Sequence, residues 1–243
     1  MALSSAPSVR NVRRAVDRNN VRVPPIGLAG TLNVPPSVHG LVAFAHGSGS
    51  SRFSPRNNVV AEALNADGIA TLLFDLLTTD EESNRANIFD IPMLAERLVD
   101  AVRWLDHQPA VRGLPLGLFG ASTGAAAALM AAARLGDRAA AIVSRGGRPD
   151  LAGDALDMVR TPTLLIVGGD DLLIIDLNRL ALERLQGPKA LEIVSGASHL
   201  FAERGALEAV VDYARNWLKR YLRHAQEPTS QSCLLYTSPS PRD

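Results

Sequence analysis

One serine in the sequence lies in a setting typical of a catalytic nucleophile. Ser122 is the centre of GASTG, Gly120 to Gly124, where an apolar strand-forming run gives way to a helical run of small residues. A serine on such a sharp strand-to-helix turn has strained backbone angles, and glycine is needed two residues to either side. The turn exposes the hydroxyl at the carboxyl edge of a sheet and directs the Thr123 N–H toward a developing oxyanion. The alternative is a chance match in a Gly- and Ala-rich segment.

A serine nucleophile needs a base, and histidine is the usual one at neutral pH. His199 follows the last predicted strand, in GASHLF, and lies in a loop at the same edge as Ser122. We therefore predict His199 as the general base. Other histidines are less well placed, because they precede a strand, end an earlier strand or lie near a helix end: His39, His46, His107 and His224.

The third member of such a set is a carboxylate that follows a strand between Ser122 and His199. The segment VGGDDLL supplies two adjacent candidates, Asp170 and Asp171, directly after a buried strand. The chain order Ser, Asp, His is the one expected for an α/β-hydrolase. We favour Asp171 as the residue that orients the imidazole and read Asp170 as a turn residue facing solvent.

The loop HGSGSS, residues 46–51, ends an earlier strand and predicts the second oxyanion-hole donor. Its glycines let the backbone approach a ligand closely, so the Ser48 N–H is the expected partner of the Thr123 N–H. A phosphate-cradling loop is the competing interpretation. This segment lacks the Walker lysine and the full G-x-G-x-x-G pattern that such loops carry.

Three arginines near the predicted site could bind a substrate carboxylate, since a guanidinium fork matches that geometry. They are Arg52, Arg145 and Arg148. A structural role, such as pairing with Asp150 or with loop carbonyls, is the alternative for them. Asp75 is predicted to tie loops together rather than to react.

The elements that must position these residues alternate along the chain. Apolar runs predict strands over 41–47, 70–77, 114–122, 139–144, 161–169 and 190–196. Helical patterns cover 55–67, a segment starting near 91, 123–135 and a last amphipathic helix around 207–221. Strands that are apolar throughout and separated by helices predict an α/β fold, a mostly parallel twisted sheet covered by helices on both faces. Residues 21–34 predict an antiparallel entry hairpin, and residues 78–87 predict a polar loop.

One domain is predicted over 20–225, between two tails. Residues 1–19 read as a flexible tail with a faint transit-segment character, and residues 226–243 as a disordered, non-native tail similar to vector read-through. The segment 145–160 is too short for a lid, so no cap domain is expected.

Composition excludes several classes of protein. Apolar residues make up 47% and charged residues 21%, and 25 basic residues balance 25 acidic ones. We therefore expect no nucleic-acid or membrane partner. The lone Cys233 excludes a disulfide framework and a multi-cysteine metal site. We expect a cytoplasmic protein with no metal or organic cofactor, monomeric by default, with a homodimer as the alternative.

Several of these segments together resemble the small dienelactone-hydrolase-like α/β hydrolases, some of which are fused in bacteria to a phosphoribosyltransferase domain. The similar segments are FAHGSGSSRFSPRN, LLFDLLT, GLFGASTGAAAAL, VSRGGRPDLA, TLLIVGGDD and GASHLF, within residues 20–223. The resemblance implies the α/β-hydrolase fold, with Ser122, Asp171 and His199 at the matching positions. True dienelactone hydrolases use a cysteine nucleophile, so Ser122 argues against dienelactone as the substrate.

The leading hypothesis is a serine hydrolase that cleaves carboxylic esters of small substrates through an acyl-enzyme. Thioester or peptide hydrolysis would use the same residues. A ligand-binding or receptor protein on the same fold is the alternative from another class. An acyltransferase or a cofactor-free perhydrolase using the same triad is the third possibility.

Overall fold

The computed structural model describes residues 16–224, so the predicted tail 226–243 and nearly all of the predicted tail 1–19 lie outside the described residues. Within them, eight strands form one sheet in the order β1-β2-β4-β3-β5-β6-β7-β8. Their bounds are β1 Asp17–Val23, β2 Leu28–Val34, β3 Gly40–Ala45, β4 Ile69–Phe74, β5 Leu116–Ala121, β6 Ala139–Arg145, β7 Thr163–Gly168 and β8 Lys189–Val194. β2 pairs antiparallel with β1 and β4, and the strands from β4 to β8 pair in parallel.

The α-helices of the described residues are α1 Pro55–Ala66, α2 Thr79–Glu82, α3 Arg85–Ile88, α4 Ile91–Leu105, α5 Thr123–Leu135, α6 Leu172–Arg184 and α7 Ala206–His224. Short 3₁₀ helices span Gly136–Arg138 and Pro149–Met158. α4 and α5 cover one face of the sheet, and α1 and α7 cover the other. The predicted mostly parallel sheet, covered on both faces, is confirmed. The predicted helices beginning at 55, near 91 and at 123, and the last amphipathic helix, are confirmed as well.

Amphipathic spacing explains how the outer helices attach to the sheet. In α7 the fully buried side chains recur every fourth residue, at Val210, Ala214, Leu218 and Leu222, which is one stripe of a helix. α5 differs, because nearly its whole surface is covered and its side chains are mostly alanine. Small side chains let α5 lie close to the sheet and place its first turn directly over the end of β5.

Two predictions about the elements were wrong, and one helix was missed. β1 begins at Asp17, inside the predicted tail, where Asp17 lies opposite Val34. Its first residues are exposed and held by backbone pairing, so the sequence shows no apolar pattern that would predict a strand there. The predicted polar loop 78–87 contains α2 and α3, which begin with side-chain caps from Thr78 and Asn84. The sequence patterns predict no helix over Leu172–Arg184, where the structure has α6.

The crossover from β6 to β7 carries the 3₁₀ helix Pro149–Met158 and no further domain, so the described residues contain no cap over the carboxyl edge of the sheet. Parallel strands from β3 to β8 all end at this edge. The loops that follow β3, β5, β6, β7 and β8 therefore converge there.

Candidate active site

Ser122 forms the turn between β5 and α5 in a strained conformation. Its φ of 52° and ψ of −122° lie in a region that side-chain-bearing residues rarely adopt. Among residues 16–224, Phe201 is the other non-glycine residue with positive φ. The Ser122 N–H donates to Arg145 O at 3.2 Å, and Ser122 O accepts from the Ala125 and Arg148 N–H groups, each at 3.1 Å. The bonds to Arg145 and Arg148 join the turn to β6 and to its following loop.

Close backbone approach explains the glycines on either side of Ser122. A Cβ on Gly120 would lie 2.4 Å from Ala125 Cα, and a Cβ on Gly124 would lie 2.1 Å from Ala45 O. The first contact would block the turn into α5, and the second would separate α5 from the end of β3. The G-x-S-x-G spacing in this chain is therefore required by packing.

The structure brings His199 and Asp171 together. His199 Nδ1 lies 2.7 Å from Asp171 Oδ2, although the two residues are in the loops after β8 and β7. A carboxylate only accepts hydrogen bonds, so Nδ1 carries the proton and Nε2 of the neutral ring is left as an acceptor. Asp170 is exposed, and its backbone N–H donates to Ala197 O at 3.0 Å. Asp171, rather than Asp170, is the aspartate that contacts the imidazole in this structure.

Ser122 and His199 occupy the same edge without a direct bond. Arg145 O accepts the Ser122 N–H, and a Cβ on the next residue, Gly146, would lie 3.6 Å from His199 Cε1. Within residues 16–224, no hydrogen bond joins the Ser122 hydroxyl to the His199 ring. Hydrogen bonds of this kind are often long before substrate binds.

The other described histidine side chains have positions that do not suit a base. His46 is buried, accepts the Leu76 N–H at Nε2 over 3.1 Å and has Nδ1 3.0 Å from Gly47 O. Burial lowers the pKa of His46 and so favours its neutral ring, which joins two loops by hydrogen bonds. His39 lies before β3 at the opposite edge, beside Gly68. His107 Nδ1 contacts Arg103 O after α4, and the His224 side chain lies outside the described residues.

The two predicted oxyanion donors differ in their surroundings. The Thr123 N–H belongs to the first turn of α5, where backbone N–H groups have no partner within the helix. The Ser48 N–H, in contrast, donates to Thr123 Oγ1 at 2.9 Å. In this structure Ser48 therefore binds the Thr123 side chain, a contact that the sequence analysis did not foresee.

Two of the three predicted substrate arginines are engaged by aspartates. Arg52 forms an ion pair with Asp75, whose Oδ1 also accepts the Arg52 backbone N–H. Arg148 forms a fork-like pair with Asp150, at 2.9 and 2.8 Å, which raises the pKa of Arg148. These contacts favour the structural alternative for Arg52 and Arg148, and Asp75 ties loops together as predicted.

Arg145 is different from the other two arginines. Its Nη1 atom is buried and has no hydrogen-bond partner among residues 16–224. Burial, together with the nearby charge of Arg56, lowers the pKa of Arg145 to about 10. Arg56 itself donates from Nε to Leu200 O at 2.8 Å, so both cations lie near the loop that carries His199.

A cavity of about 490 Å³ opens beside the predicted oxyanion donors. Its walls come from the loops after β3 and β4 and from residues of the helices α1 to α5, and they include Gly47, Ser48, Thr123, Leu76 and Leu94. Ser122, Asp171 and His199 do not line it. The loop after β4 contributes a wall that was not predicted from the sequence. The sequence feature that could have indicated this wall is the apolar pair Leu76 and Leu77, which continues past the end of β4.

No cluster of three or more His, Cys, Asp or Glu side chains suited to a metal ion occurs in the described part of the chain. Nor does any helix within residues 16–224 have the length and apolar character needed to cross a membrane.

Comparison with known proteins identifies a family and several similar structures. A family model described as an alpha/beta hydrolase domain matches residues 38–217. A dienelactone hydrolase from Anabaena variabilis ATCC 29413, known as a crystal structure, is 53% identical, with a TM-score of 0.83 over 86% of this chain and 99% of that one. Est1E from Butyrivibrio proteoclasticus shares the fold at 16% identity and a TM-score of 0.71, over 85% of this chain and 99% of that one.

Two curated relatives come from strains of Mycobacterium tuberculosis, and each is named "Putative phosphoribosyl transferase". Both are 56% identical over 198 residues, which is 82% of this chain and 45% of theirs. The chain therefore spans about half the length of the curated relatives it matches.

Proposed function

Because the chain belongs to the alpha/beta hydrolase domain family, we propose that it is a serine esterase that cleaves carboxylic esters of small substrates through an acyl-enzyme on Ser122. The 53% identity to a dienelactone hydrolase confirms the resemblance noted in the sequence. The observation that carries the proposal is the pairing of His199 with Asp171, 2.7 Å apart, at the edge where Ser122 occupies its strained turn.

In the proposed reaction, Ser122 Oγ attacks the ester carbonyl while His199 Nε2 accepts the hydroxyl proton. Asp171 keeps the proton on Nδ1 and stabilises the imidazolium that forms. The Thr123 N–H stabilises the oxyanion, and the Ser48 N–H, held beside it by Thr123 Oγ1, is the second donor. His199 then protonates the leaving alcohol, and water, activated by the same ring, releases the acid.

The proposal is tested with p-nitrophenyl acetate and with a serine-directed phosphonate label. We expect Ser122→Ala to lower kcat/KM by at least about 10³-fold and to abolish labelling. Ser37→Ala is the matched control, because Ser37 is exposed and precedes β3 at the opposite edge. Equal hydrolysis by wild type and Ser122→Ala, with no label on wild type, would show that the chain is not a serine esterase.

A further inference from the structure

We infer that the 490 Å³ cavity binds the acyl part of the ester and that this acyl group is uncharged and apolar. The inference rests on the proposed function, since it names the substrate class of the same Ser122 site.

The cavity begins next to the nucleophile. Gly47 and Thr123 line it, and a Cβ on Gly47 would lie 2.9 Å from Ser122 Cβ. Thr123 also supplies the N–H proposed for the oxyanion. A carbonyl carbon bonded to Ser122 Oγ is therefore close enough to place one of its two substituents in the cavity.

Proton transfer decides which substituent enters. The leaving oxygen takes its proton from His199, so the alcohol part of the ester has to lie near that ring. Neither His199 nor its partner Asp171 lines the cavity. The alcohol part therefore lies on the His199 side, and the acyl part occupies the cavity.

The walls of the cavity suit an apolar group. Leu76, Leu77 and Leu94 are buried side chains that form its inner surface, with Ile88 beside them and the exposed ring of Phe53 at the mouth. Its volume falls in the range of ~300–1,000 Å³ that is typical of small-molecule sites. A short alkyl or a single aromatic acyl group fits these walls by its size and by its lack of polar atoms.

The charges around the cavity disfavour an anionic acyl group. Glu82 is the acidic residue among those that line it, and burial lowers the pKa of His46 and disfavours its charged form. Two cations on the neighbouring elements are engaged, since Arg52 pairs with Asp75 and Arg97 pairs with Glu81 at 3.0 Å, and no Arg or Lys side chain among residues 16–224 lines the cavity itself. An acyl chain ending in a carboxylate would lose hydration there, gain no counter-ion from the residues that line the cavity and face Glu82.

The preference of the cavity for an uncharged acyl group is tested with two p-nitrophenyl esters of equal acyl length, the neutral valerate and the anionic hemiglutarate. We expect kcat/KM to be at least about tenfold higher for the valerate, and Glu82→Gln to narrow that ratio by about threefold. Asp80→Asn is the control, because Asp80 belongs to the same short helix but does not line the cavity. It should leave the ratio unchanged.

Whether the acyl group lies in the cavity is tested by filling the cavity with a larger side chain. Ser50→Phe should lower kcat/KM for p-nitrophenyl benzoate about tenfold more than for p-nitrophenyl acetate, whose acyl group is small. Circular dichroism checks that this variant folds. If it does not fold, the valerate-to-hemiglutarate ratio of kcat/KM in Glu82→Gln still tests the inference.

Hemiglutarate cleaved as fast as valerate by wild type, with both activities lost in Ser122→Ala, would overturn the inference and leave the esterase proposal intact. No cleavage of any ester would instead overturn the esterase proposal.

Discussion

At the scale of single residues, two adjacent carboxylates have different surroundings. Asp171 contacts His199 Nδ1 at 2.7 Å, whereas Asp170 is exposed. We expect Asp171→Asn to lower kcat/KM by about 10⁴-fold, because the amide stabilises the wrong imidazole tautomer. Asp170→Asn, the matched control, should change kcat/KM by less than about threefold. Ester kinetics measure both, and comparable losses in the two variants would contradict the assignment of Asp171.

A second prediction concerns the hydrogen bond from the Ser48 N–H to Thr123 Oγ1. Thr123 is buried, and its hydroxyl links the loop after β3 to the first turn of α5. Thr123→Val keeps the shape and removes the acceptor, so the loop that carries Ser48 loses its anchor. We expect kcat to fall about tenfold in Thr123→Val and much less in Thr123→Ser, which keeps the hydroxyl. A rise of kcat in Thr123→Val would mean that the bond withholds Ser48 from the substrate.

At the scale of elements, one partly buried carboxylate joins α1 to α7. Asp67 ends α1 and accepts hydrogen bonds from Arg215 Nε at 2.5 Å and Nη2 at 2.7 Å, with Lys219 Nζ 3.0 Å away. The Arg215 hydrogen bond, and then Lys219, outweigh burial and lower the pKa of Asp67. The carboxylate therefore stabilises the fold above its ordinary pKa, and this contribution is lost as the pH falls through the lowered value.

Removing the charge of Asp67 should loosen α7 from α1. We expect Asp67→Asn to reduce the free energy of unfolding by about 1–2 kcal/mol at pH 7, an amount limited by the partial exposure of both cations. Asp212→Asn should cost less than about 0.5 kcal/mol, since Asp212 is exposed and lies 3.9 Å from Arg215. Urea unfolding measures both. A cost for Asp67→Asn no larger than that of the control would show that α7 is held by its apolar stripe alone.

At the scale of the whole molecule, the buried His46 makes stability depend on pH. Its pKa in the folded chain lies below the ordinary value of 6.5, because burial disfavours the charged ring. As the pH falls from about 6.5, the unfolded chain takes up this proton before the folded chain does. The free energy of unfolding therefore decreases from that pH down to the lowered pKa, by at most about 1.4 kcal/mol per pH unit from this group.

The measurement is chemical unfolding at several pH values between 7 and 5. His46→Gln keeps an acceptor for the Leu76 N–H but does not titrate, so its stability should vary less over this range than that of wild type. His107→Gln is the control, because it removes a histidine at an exposed position and leaves the buried His46 in place. A slope in His46→Gln as steep as that of wild type would assign the pH dependence to other groups.

Much of the fold could be predicted because the central strands are buried on both faces. β3, β4, β5 and β7 are buried at every residue, which leaves continuous apolar runs in the sequence. The start of β1 could not be predicted from the sequence, because its first residues are exposed and are held by backbone pairing alone. α6 was not assigned because its exposed Leu172, Leu173 and Leu180 obscure the helical period.

The sequence by itself determined the strand-to-helix turn at Ser122, since GASTG has glycine at the two positions where a Cβ would collide with backbone. It also determined that an aspartate and a histidine follow later strands, at the edge where parallel strands end. Only the tertiary structure decided that Asp171 rather than Asp170 contacts His199, that Asp75 and Asp150 engage Arg52 and Arg148, and that the Ser48 N–H binds Thr123. The physical reason is range: turn sterics act over a few residues, whereas these contacts join side chains on separate loops whose directions depend on how the whole sheet packs.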